Sequence, residues 1–256
     1  MTRKQRIFPL LIFWSLFVSG TLVGQAPAQS DTLRILFVGN SFTYYYNLSQ
    51  VVASMAESQD FPMMTRQSTV GGSTLEQHWK QEKGTRTRAL LDSLPWDYVV
   101  FNNHSLATIE DGESFHLYCE KFANLVREKG AEPIFMETWG YKANPLMFNI
   151  IQPAYEKMSS TLDADLVPCG QLFAAARSLR PEMNLFFDEK HPSYQATYMM
   201  GLAFYKYFSG NSTENIPRRL TTIDKNGEKL YLIFMHQEDA DFLQQLVDEF
   251  DFQTRE

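Results

Sequence analysis

Four short segments carry residue types suited to nucleophilic acyl transfer. In Asp188-Glu189-Lys190-His191-Pro192, a three-residue spacing lets a carboxylate fold back onto the His191 ring. A carboxylate on Nδ1 orients the imidazole and leaves Nε2 free to take a proton from a hydroxyl. Val38-Gly39-Asn40-Ser41-Phe42-Thr43 supplies the hydroxyl: Gly39 permits a tight turn, and Ser41 lies near the start of a helix. A helix N-terminus favours negative charge developing beside it. Val70-Gly71-Gly72-Ser73 offers backbone N–H groups that a ligand can approach closely, because glycine has no side chain. Phe101-Asn102-Asn103-His104-Ser105 offers side-chain amides as donors to an oxyanion. Each segment also has a plainer reading. Ser41 or Thr43 would serve as a helix N-cap, the glycines and asparagines as turn residues, and Asp188 with His191 as a surface pair capping a helix.

These segments act together only if the fold brings them to one edge. Short apolar runs at Leu33–Val38, Asp97–Phe101, Glu132–Met136 and Leu162–Val167 read as strands buried on both faces, with Phe61–Ser68 a weaker fifth. Helical stretches fall between them at Leu48–Gln59, Thr74–Leu91, Glu113–Lys129, Phe148–Thr161 and Gln171–Arg180. Pro192 is expected to open a helix to Phe208 and to place His191 at its cap. The alternation predicts a doubly wound α/β sheet, which builds its sites at the carboxyl ends of its strands. Serine, glycine and asparagine segments each end a predicted strand on that rim. Beyond Gly210 the pattern changes to a hairpin, Leu220–Ile223 with Lys229–Met235 around Lys225-Asn226-Gly227, and a closing helix over Asp239–Phe250. Residues 211–256 are read as an appendage of the same domain, which spans 29–256.

Taken together, the segments resemble the blocks of the SGNH hydrolases, the GDSL-like esterase and lipase superfamily. Gly39-Asn40-Ser41 matches the first block, where that family carries Gly-Asp-Ser, and Asp188-x-x-His191-Pro192 matches the last. The Gly-Asn-Ser-Phe-Thr wording is similar to a bacterial branch of uncharacterised members. The resemblance runs from Leu33 to Phe208 and implies a flavodoxin-like three-layer α/β/α sandwich with a central parallel sheet. It implies ester hydrolysis with no metal or other cofactor. Residue by residue, it makes Ser41 the nucleophile, His191 the base and Asp188 the orienting acid. The oxyanion hole would comprise the N–H of Ser41, that of Gly72 (Gly71 being the alternative) and a third-block asparagine. The family shows Gly-x-Asn-Asp in that third block. Literal alignment puts His104 on the asparagine position; one residue of loop adjustment restores Asn103, with Asn102 the next choice.

Other residues bear on the substrate. Trp139, in Thr138-Trp139-Gly140-Tyr141 after the fourth strand, is a candidate platform for a sugar ring, with core-edge packing as the alternative. His104 is a candidate substrate contact and the one rival base on the rim. His78, His116 and His236 read as structural. Tyr44-Tyr45-Tyr46 either lines the cleft or packs the first helix. The expected substrate is a small-molecule or glycan ester, with a short acyl group on carbohydrate favoured. The alternative is a catalytically inactive carbohydrate-binding protein on the same fold.

Composition narrows the field. The 256 residues are 44% hydrophobic and 21% charged, enough for one sizeable core. The formal net charge of −7 argues against nucleic acid as a partner, since phosphate binding needs a cationic surface. Two cysteines, Cys119 and Cys169, lie in apolar surroundings and read as buried free thiols. There is no G-x-S-x-G elbow, P-loop, G-x-G-x-x-G or H-E-x-x-H motif. Residues 1–28 read as a cleaved secretory signal: Arg3, Lys4 and Arg6, an apolar run Ile7–Val23, then Ala26-Pro27-Ala28. The expected location is therefore secreted or periplasmic, with no membrane span after cleavage.

Overall fold

The computed structural model describes residues 32–252. The expected signal segment lies outside the described residues. In chain order the elements are β1 (Leu33–Gly39), α1 (Ser41–Tyr44), α2 (Leu48–Glu57), β2 (Met63–Thr69), α3 (Leu75–Lys80), α4 (Thr87–Leu91) and β3 (Tyr98–Phe101). There follow α5 (Ala107–Glu110), α6 (Gly112–Glu128), β4 (Glu132–Met136), α7 (Phe148–Leu162), β5 (Asp165–Val167), α8 (Cys169–Leu179) and α9 (Tyr194–Ser209). A hairpin of β6 (Arg219–Ile223) and β7 (Lys229–Phe234) and the helix α10 (Gln237–Glu249) complete it. Single 3-10 turns occupy Tyr45–Asn47 and Pro145–Met147.

The five parallel strands stand in the order β2-β1-β3-β4-β5. That order is the flavodoxin-like winding, whose direction reverses between β1 and β3. Alternation along each strand feeds two cores. Ile35 and Phe37 of β1 face a cluster completed by α2, α8, α9 and α10, while Leu36 and Val38 face one completed by α3, α6 and α7. Val100 and Ile134 join the first cluster, Phe101 and Phe135 the second. The result is the three-layer α/β/α sandwich. Residues of the hairpin and α10, among them Leu220, Ile233, Leu243 and Val247, belong to the first cluster. Cys119 and Cys169 are free, buried and divided between the two cores. Among the described residues, no helix is long and apolar enough to cross a membrane.

Register puts the site loops on one rim. Gly39 pairs with Thr69 of β2, and Val38 with Phe101 of β3. The segments beginning Asn40, Val70 and Asn102 therefore leave the sheet side by side.

Three expected elements differ. The helix expected over Thr74–Leu91 is two short helices, because Gln81 and Lys83 adopt left-handed backbone (φ 59° and 50°) ahead of Gly84. The strand expected at Leu162–Val167 starts only at Asp165: α7 runs to Leu162, and Asp163 ends it in left-handed geometry. Ser193, not His191, caps α9. Pro192 stays extended in a bridge to Phe186, and Ser193 Oγ accepts the Ala196 N–H.

Candidate active site

The serine segment is organised by Asn40. Its backbone is extended, and its Oδ1 accepts the Phe42 N–H at 3.0 Å, capping α1. The cap thus falls on Asn40 and not on Ser41 or Thr43. Asn40 Nδ2 donates to the carbonyls of Ser73 at 3.1 Å and Asn103 at 3.0 Å. One side-chain amide ties together the loops following β1, β2 and β3. Gly39 is required by close approach: a Cβ there would lie 1.7 Å from Asn102 Oδ1. Gly72 has φ +62°, a conformation that other residues adopt only at a cost.

The histidine arrives on the loop ahead of α9. Asp188 Oδ1 accepts the N–H groups of Lys190 at 2.9 Å and His191 at 2.8 Å. Its Oδ2 accepts from His191 Nδ1 at 2.7 Å, so the carboxylate fixes both backbone and ring. His191 Nε2 lies 2.9 Å from Ser41 Oγ. With Nδ1 donating to the carboxylate, Nε2 is the acceptor for the serine hydroxyl. Desolvation alone would raise the Asp188 carboxyl. The backbone N–H groups of His191 and Lys190 and the His191 ring overcome it and hold the group at about 2. It is ionised at neutral pH. The Tyr45 ring stacks on His191 at 4.1 Å between centroids and 3° between planes, and Phe42 meets the imidazole edge-on at 5.9 Å.

A cleft of about 240 Å³ opens over Ser41 and His191, walled by Tyr44, Tyr45, Gly72, His104 and Lys190. Cavities that bury drug-sized ligands start at about 300 Å³. This one is smaller than that. Among the described residues no cluster of three His, Cys, Asp or Glu is placed to hold a metal ion.

No protein-family model matches the chain, and no curated protein matches it in sequence. Solved structures do match in fold. A DUF4886 family protein from Bacteroides uniformis superposes with a TM-score of 0.69 at 18% identity, over 85% of this chain and 94% of the other. A protein assigned to the SGNH hydrolases from Slackia heliotrinireducens gives 0.59 at 21% identity, over 70% and 100%. An acetyl xylan esterase gives 0.59 at 11% identity, over 68% and 99%. The chain has the SGNH hydrolase fold.

Against the blocks of SGNH hydrolases, the third segment divides its two asparagines. Asn102 is spent on structure: Nδ2 donates to Asn40 Oδ1 and Asn103 O, each at 3.1 Å, and Oδ1 accepts from Thr43 Oγ1 at 2.5 Å. The expectation that Asn102 could donate to an oxyanion is corrected on that ground. Asn103 accepts on Oδ1 from Leu75 N–H and His104 N–H, at 3.0 and 2.8 Å. Both bonds use its oxygen. His104 lines the cleft with its Nδ1 accepting the Leu106 N–H at 3.4 Å. The Ser41 hydroxyl bonds to His191, not to His104.

Trp139 is not a sugar platform. It is 1% exposed and sandwiched between Phe42 (4.5 Å, 10°) and Phe173 (4.1 Å, 7°), so neither face is open. Its Nε1 donates to the Lys190 carbonyl at 3.0 Å and so holds the histidine loop. His78 is buried, bonded to Thr87 Oγ1 and the Gly39 carbonyl, and pushed down to about 4 by desolvation. It is structural, as expected.

Sequence reasoning passed over Glu137, which directly follows β4, is fully buried and accepts the Gln171 N–H at 2.8 Å. Burial pushes its carboxyl up to about 8, so it is protonated at neutral pH. A lone acid directly after an apolar strand was the available signal. It anchors the start of α8 and does not line the cleft.

Proposed function

We propose that this protein is a serine esterase that hydrolyses carboxylic esters, removing short acyl groups such as acetyl from carbohydrate. The observation that carries the reading is the 2.9 Å contact between Ser41 Oγ and His191 Nε2, with Asp188 on the far side of the ring. In this reading Ser41 Oγ adds to the ester carbonyl carbon as its proton passes to His191 Nε2. Asp188 stabilises the imidazolium that results. The oxyanion is met by the N–H groups of Ser41 and Gly72 and by Asn103 Nδ2. Removal of one such donor typically costs about 3–4 kcal/mol in the transition state. The tetrahedral intermediate collapses, and the leaving alcohol takes the proton from His191. A water deprotonated by His191 then attacks the acyl-enzyme, and Ser41 recovers its hydrogen.

The acetyl preference is supported by the small cleft and by the likeness to an acetyl xylan esterase. Export to the periplasm or beyond is supported by the basic, apolar and small-residue sequence of residues 1–28. Hydrolysis of p-nitrophenyl acetate tests the activity. Turnover should fall by at least about 10⁴-fold in both Ser41→Ala and His191→Ala. Undiminished turnover in Ser41→Ala would remove the serine from its role. Glycan binding with no turnover at all would favour the inactive binding protein.

A further inference from the structure

Two ammonium groups flank the cleft of a protein whose net charge is −7. Lys190 is on the wall itself, its backbone held by Trp139 and its Nζ lying 5.7 Å from the centre of the Tyr141 ring. Tyr141 is in turn fixed by a 2.8 Å bond between its hydroxyl and Ser105 Oγ, another wall residue. On the opposite loop, the turn after α3 brings Lys83 Nζ to the Gly72 carbonyl at 3.2 Å. Among the described residues, neither lysine has a carboxylate within ion-pair distance. Asp188, the acid nearest the reacting groups, is spent on the His191 ring and two backbone N–H groups.

His104, between these loops, registers the local charge. Burial lowers its imidazole first and Lys190 lowers it next, while Glu110 raises it by more than Lys83 lowers it. An ammonium group on the wall of a cleft, with no carboxylate paired to it, draws anions to that wall.

We infer that the substrate is an acylated acidic glycan, whose carboxylate or sulfate groups are met by Lys190 and Lys83 while the acyl ester lies over Ser41. This rests on the esterase reading. Because a short neutral acyl group carries no charge, the anion must belong to the alcohol half.

Two ester pairs test it: 4-acetoxybenzoate against its methyl ester, and acetylated polygalacturonate against acetylated xylan. Rates are taken as kcat/KM, with the small esters corrected for their spontaneous hydrolysis. The wild type should favour the anionic member about tenfold, the scale of two partly exposed charge pairs. The preference should shrink at 0.5 M salt, as screening of about 10 Å at 0.1 M shortens further. It should approach one in the double variant Lys83→Met, Lys190→Met, and persist in Lys129→Met, which lies ahead of β4 at the end of the sheet opposite the cleft. Equal hydrolysis of both members of each pair would overturn this inference alone. A preference untouched in the double variant would overturn the assignment to these lysines. No hydrolysis of any ester would overturn the esterase reading and this inference with it.

Discussion

The Tyr45 ring lies parallel to the His191 imidazole, 4.1 Å away, and covers one face of it. Phe42 holds the ring from its edge, and Asp188 from Nδ1. Together they leave the imidazole one orientation, with Nε2 toward Ser41. Aromatic pairs of this kind are worth about 0.5–1.5 kcal/mol. Tyr45→Ala should therefore lower kcat on p-nitrophenyl acetate by about 2- to 10-fold with a smaller change in KM. Tyr45→Phe keeps the stack and should retain most of kcat. If Phe and Ala were equally impaired, the hydroxyl and not the stack would be what matters.

Asn40 stands where the family motif has aspartate, and the structure gives the reason for an amide here. Its Nδ2 donates to two buried carbonyls, of Ser73 and Asn103, while Oδ1 accepts from Phe42 and Asn102. Asn40→Asp would set a carboxylate against both carbonyls. A buried acceptor left unsatisfied costs about 1–3 kcal/mol. The variant should lose at least about 2 kcal/mol in denaturant unfolding, and kcat should fall because the three loops lose their common tie. A variant as stable as wild type would show that these loops hold without it.

The buried His78 predicts a pH dependence of stability. Its folded value, pushed down to about 4 by desolvation, lies below the ordinary histidine value of 6.5. Between these limits the unfolded chain binds the proton and the folded chain does not. Stability from this group is complete above pH 6.5 and is lost as pH falls towards 4, by on the order of 3 kcal/mol. Chemical denaturation at pH 7 and pH 4.5 should show the loss, and His78→Gln should flatten the part due to this residue. An unchanged slope in that variant would assign it to other groups.

The legibility of the site followed the range of its contacts. Asp188 and His191 are three residues apart, so their pairing was visible as a local motif. Ser41 and His191 are 150 residues apart, and in the sequence only the resemblance of their two segments to the SGNH blocks pairs them. Asn40, in contrast, works across 33 and 63 residues through side-chain bonds that no periodicity records. The same limit explains Asn102, whose amide is consumed by partners in the β1 loop. In the fold, apolar runs mark β1, β3 and β4 clearly, whereas β2, with Thr65, Arg66 and Gln67 at its centre, gives a weaker signal. What failed were ends set by backbone geometry, as at Gln81, Lys83 and Asp163, where left-handed residues other than glycine stop helices without an obvious signal.

Trp139 shows the remaining difficulty, and its substitution separates two roles. An aromatic after a strand end reads equally as platform or packing until the elements covering it are known. Here Phe42 and Phe173 cover both faces, and Nε1 donates to the Lys190 carbonyl. Trp139→Ala should cost about 3–5 kcal/mol of stability, the range for emptying a large buried aromatic site. Trp139→Phe retains a ring in the stack but leaves the Lys190 carbonyl without its donor. That carbonyl precedes His191 directly, so the loop should loosen and kcat should fall several-fold while stability drops only by about 1 kcal/mol. A sugar-stacking residue would behave differently, raising KM for glycan esters while leaving KM for p-nitrophenyl acetate alone. Measuring both substrates in Trp139→Phe decides the matter. A parallel fall in kcat on the two supports loop positioning, and a glycan-specific rise in KM would contradict the buried sandwich.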